Sequence, residues 1–145
     1  MVTRVLLPVV VVVLVAASVP TQDTKEELEK LQGEWTMVSS ERKGKKLDDK
    51  IVKLYKLTIT GDQWVVTVGG KQASEATFKI DPSKDPKTMD VTLQAGDQQV
   101  LALGIYKLQG DTLTQCRTEP GLERPKEFKT TEEARALFVW QRAKK

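Results

Sequence analysis

The chain contains no histidine. That excludes Ser-His-Asp and Cys-His nucleophile pairs and removes the commonest transition-metal ligand. Its single cysteine, Cys116, cannot close an internal disulfide, and without partner ligands it cannot build a zinc site. A packed, inert thiol is the expectation for it; an intermolecular disulfide is the alternative. No glycine-rich phosphate loop occurs, Gly69-Gly70 reading as a hairpin turn, and Asp48-Asp49 lacks calcium-loop spacing. The expectation is therefore a non-enzymatic protein with no catalytic residues, metal or cofactor. Sequence leaves open only a pair of carboxylates that the fold brings together.

Charge of one sign is also missing. Twenty-three Lys and Arg face 20 Asp and Glu, evenly interspersed, which argues against nucleic acid or an anionic membrane as partner. No apolar run reaches the roughly 20 residues that span a bilayer. The longest, Val5–Ala17, is interrupted by Pro8, follows Arg4 and ends in the small residues Ala16-Ala17-Ser18. These features predict a signal peptide over 1–18 and export to the periplasm or the cell exterior, with no membrane attachment after cleavage. A linker and short helix would follow over 19–33, then one domain over 34–145.

What is present is mostly period-2 alternation. Thr24-Lys25-Glu26-Glu27 fits a capping box for one short helix, with Leu28 and Leu31 on one face. Beyond Gly33 the pattern predicts eight strands, roughly 34–41, 53–60, 63–68, 73–80, 87–94, 98–108, 112–118 and 136–142. Gly-Asp stands between alternating runs at 61–62, 96–97 and 110–111, and glycine first in a two-residue loop suits a type II′ hairpin turn. Closing the first turn sets Ile59 opposite Trp64 and Leu57 opposite Val66. The other two turns agree on one inward set: Val100, Ala102, Gly104, Tyr106, Leu108 and Leu113. Hairpin-linked strands that must hide their edges predict an all-β, up-and-down antiparallel barrel, with a two-sheet sandwich as alternative.

Gly33-Glu34-Trp35 opens the first strand directly after the helix, and Arg142 ends the last. This resembles the lipocalin signature, which implies that the tryptophan plugs one barrel end beneath the arginine. Longer stretches, among them Leu31–Trp35, Phe78–Pro82, Gly104–Leu113 and Pro120–Phe128, are similar to a family of small exported domains expanded in planctomycete bacteria. That resemblance implies the lipocalin-like barrel and export, and it brings no catalytic residues.

Two features rise above this background. Ala102 and Gly104 are small at mid-strand inward positions, and Arg117 pairs opposite Gly104. They predict a pocket for a small, partly apolar ligand bounded by Trp64, Tyr106, Gln115 and Arg117; a filled core with Arg117 reaching the rim is the alternative. On the outward face, Leu101, Leu103, Ile105 and Cys116 form an apolar stripe. It suits a homodimer or protein partner, or cover by the chain's own segments.

Overall fold

The computed structural model describes residues 21–130 and 135–144. The predicted signal peptide over 1–18, and the helical turn expected between Thr130 and Arg135, lie outside the described residues. Helix α1 (Gln22–Leu31) leads into β1 (Gly33–Arg42), a two-residue arm β2 (Lys45–Lys46) and the single turn α2 (Asp49–Val52). Then come β3 (Tyr55–Thr60), β4 (Gln63–Val68), β5 (Lys71–Asp81), β6 (Thr88–Ala95), β7 (Gln98–Ala102), β8 (Gly104–Gln109), β9 (Thr112–Thr118) and β10 (Arg135–Arg142). β7 and β8 are one course broken at Leu103. β10 pairs with β1, which closes an eight-stranded antiparallel barrel.

The Gly-Asp turns set the register. Gly61, Gly96 and Gly110 have φ of 63°, 60° and 57°, and Lys43 is the one described non-glycine residue at positive φ. Positive φ at the first loop position alone is the type II′ form. Ile59 therefore faces Trp64, Leu93 faces Val100, and Tyr106 faces Gln115. The alternate residues converge on one interior: Leu57, Ile59, Trp64, Phe78, Met89, Val91, Tyr106 and Leu113 are all buried.

Two bulges modify this register. The Gly69-Gly70 hairpin closes with a two-residue loop, and a one-residue shift at Ala73 sets Trp64 opposite Ala76. A second shift falls in β1 between Met37 and Ser39, leaving Val38 half exposed. An extra residue reverses the alternation beyond it. Trp35 and Met37 point inward before the bulge, and Ser40 and Arg42 fall on the inward row after it.

Helix α1 seals one barrel end. Its N-cap is Thr21, whose hydroxyl accepts from the Thr24 N–H at 3.3 Å, so the box expected on Thr24 and Glu27 does not form. Glu27 instead turns inward, accepting from Tyr106 Oη at 3.2 Å and Lys87 Nζ at 2.8 Å. A buried carboxylate held by a lysine and a phenol outweighs an exposed local cap. The helix C-terminus presents three carbonyls that no helical N–H can satisfy. Trp35 Nε1 donates to that of Leu31 at 3.0 Å, and Arg142 donates to those of Gln32 and Lys30. The Arg142 guanidinium lies 4.3 Å from the centre of the Trp35 ring, the contact that the Gly-x-Trp signature implies. A cation at a helix C-terminus also complements the helix dipole.

Candidate ligand cavity

The end opposite α1 is carried by the β4–β5 and β6–β7 hairpins and by the 119–130 segment. A cavity of about 140 Å³ enters the barrel there, walled by Trp64, Val66, Phe138, Trp140, Gln115 and Arg117. A second hollow of about 170 Å³ lies beside it, between Leu93, Ala102, Thr118, Pro120 and Ala136. Arg42 and Arg117 line both.

Strand alternation positions these groups. Leu113, Gln115 and Arg117 follow one another inward along β9, and Ala136, Phe138 and Trp140 do so along β10. Trp64 meets Phe78 and Trp140 edge to face, with ring centres 5.9 and 6.3 Å apart, so the cavity floor is an aromatic cluster. Gln115 Oε1, Trp140 Nε1 and Arg117 Nη1 are buried and have no hydrogen-bond partner among the described residues. Polar groups in that condition are rare in folded proteins and need an explanation.

Arg117 carries the strongest electrostatic signal. Its guanidinium sits 4.9 Å from the centre of the Phe138 ring and makes no ion pair with a described carboxylate. Burial, and secondarily the positive charge of Arg42, push its pKa down to about 10. It is still a cation at neutral pH, held where its charge is poorly solvated. An anion between Arg42 and Arg117 would relieve both effects.

Three of the four expected site residues, Trp64, Gln115 and Arg117, therefore share one cavity. Tyr106 stands apart. Its hydroxyl faces the sealed end and donates to Glu27, and burial and that carboxylate raise the phenol far above its ordinary range. No protein-family model, curated protein or solved structure matches the chain.

Of the two small residues expected to open the interior, one does so. Ala102 does border the outer hollow, but Gly104 opens no space. A Cβ there would lie 2.9 Å from the backbone oxygens of both Met89 and Cys116. Gly104 is needed because neighbouring strands approach closely. Arg42 and Trp140 complete the site without having been anticipated. Trp140 follows from the alternation of β10, whereas Arg42 depends on the β1 bulge.

The outward stripe is largely covered by the chain itself. The 119–130 segment crosses it: Cys116 Sγ donates to the Lys129 carbonyl at 3.7 Å, and Lys107 rests 4.8 Å over the Phe128 ring. Arg124 anchors the crossing through Asp90 and the Gly104 carbonyl. Ile105 is 1% exposed and Cys116 fully buried, and burial pushes the thiol pKa up. Of the four stripe residues, Leu101 is the one left well exposed.

Proposed function

We propose that this protein is an exported, non-enzymatic binding module of lipocalin-like type that holds a small, partly apolar anion inside its barrel. One observation carries the reading: an aromatic-walled cavity contains an arginine with no carboxylate partner among the described residues. The Trp64, Phe138 and Trp140 rings suit the apolar part of a ligand, and Arg117 with Arg42 suits its carboxylate. The volume is close to the roughly 150 Å³ that accommodates one benzene-sized molecule, so the ligand is small. Export is supported by the leader-like stretch at residues 1–18. The interaction reading has less support, because Ile105 and Cys116 are buried.

Thermal unfolding with benzoate, and separately with its neutral counterpart benzamide, tests the proposal. A ligand that binds only the folded state stabilises it by about 2.7 kcal/mol at a hundredfold excess over Kd. Benzoate is expected to raise the midpoint in a saturating, dose-dependent way, and benzamide far less. No shift with benzoate or hexanoate would remove the anion-binding reading.

A further inference from the structure

Charge is unbalanced at the open end of the barrel, although the whole chain carries 23 basic and 20 acidic side chains. The outer hollow is lined by Arg42, Lys43, Arg117 and Arg135, and by one carboxylate, Glu119. The ion pairs among the described residues all lie elsewhere and use none of these four cations. Lys43 opens the two-residue Lys43-Gly44 loop between the paired residues Arg42 and Lys45, and the loop residues have φ of 50° and 75°. That is the type I′ form, whose first position favours Asn, Asp or Gly. Lysine fits that backbone poorly; what it adds beside the hollow is an exposed positive charge on a flexible stem. Arg42 and Arg117 line the inner aromatic cavity as well. A single carboxylate between them leaves most of the outer hollow, about 170 Å³ with apolar walls at Leu93, Ala102 and Ala136, unfilled beside two further cations.

We infer that the ligand is an aryl-substituted aliphatic dicarboxylate, its ring in the inner cavity, one carboxylate between Arg42 and Arg117, and the second beyond them in the outer hollow against Lys43 and Arg135. The ring and the first carboxylate rest on the function proposed above; the second carboxylate rests on the outer hollow alone. A second negative charge strengthens attraction to this positive mouth, and salt screens that gain. Phenylsuccinate has the connectivity required, with the ring on the carbon that bears the first acid and a short link carrying the second outward. 2-Phenylbutanoate is the same skeleton with a methyl group in place of the second carboxylate.

The test is a titration of the whole protein, read by calorimetry, with both enantiomers of phenylsuccinate, both of 2-phenylbutanoate, and benzoate. At about 0.01 M ionic strength one phenylsuccinate enantiomer is expected to bind about tenfold or more tightly than its matching 2-phenylbutanoate, and at about 1 M the ratio should fall toward one. Lys43→Asn, which suits the turn, should bring the low-salt ratio to within about threefold, and adding Arg135→Gln should reduce it further. If phenylsuccinate binds no better than 2-phenylbutanoate while either monocarboxylate binds, the second carboxylate is wrong and the anion site stands. If no compound binds, both fall. A preference indifferent to salt, or undiminished in both variants, places the second charge elsewhere and overturns the inference.

Discussion

Arg117→Met is expected to raise the unfolding midpoint of the ligand-free protein by several degrees while abolishing its response to benzoate. A buried cation with no anionic partner is a cost that methionine, of similar length and flexible shape, does not carry. The Phe138 ring at 4.9 Å offsets part of that cost. With the guanidinium pKa depressed to about 10, a net gain of order 1–3 kcal/mol follows for the substitution. At this chain length each kcal/mol moves the midpoint by about 3–5 °C. The pH dependence has a definite sign. Because the folded-state pKa is the lower one, the penalty is complete below about pH 10. It shrinks as the folded form loses its proton above about pH 10. The advantage of methionine should therefore be full at pH 7 and smaller at pH 11. A midpoint that falls at pH 7 would mean that Arg117 contributes stability in the empty barrel.

The second large effect belongs to the sealed end. Trp35→Ala should destabilise the protein by about 4–5 kcal/mol, lowering the midpoint by roughly 12–25 °C. Trp35 is fully buried, so the substitution leaves a cavity at the barrel end. It also leaves the Leu31 carbonyl without its donor and takes away the ring beneath Arg142. Trp35→Phe separates these terms, since it keeps most of the packing and loses only the N–H donor. It is expected to cost about 1–3 kcal/mol. Denaturant unfolding of the two variants measures both. A loss below 2 kcal/mol for the alanine variant would show that α1 is not held through this contact.

Much of the barrel was legible because two-residue hairpin loops leave no slack. Once Gly61-Asp62 is read as a II′ turn, Ile59 must face Trp64, and a slip of one residue would put every apolar side chain on the wrong face. The same reasoning placed Tyr106 against Gln115 and brought Trp64, Gln115 and Arg117 to one interior. What was not legible depends on contacts distant in sequence. The β1 bulge at Val38 has no compositional mark, yet it decides that Arg42 joins the inward row. The capping role passed from Thr24 to Thr21 because Glu27 found Tyr106 and Lys87, 79 and 60 residues away. In sequence Gly104 looks like missing volume, whereas Met89 and Cys116 crowd its backbone from both neighbouring strands. The outward stripe looked unpartnered because its cover, the 119–130 segment, has no periodicity of its own; Arg124, Phe128 and Lys129 reach it singly.

A crystal structure of the protein grown with benzoate tests the central claim most directly. The expected result is the ring inside the barrel against Trp64 and Phe138, with its carboxylate about 2.7–2.9 Å from the Arg117 guanidinium. A barrel interior filled by its own side chains, with Arg117 turned out to the rim and the ligand elsewhere or unbound, would contradict it.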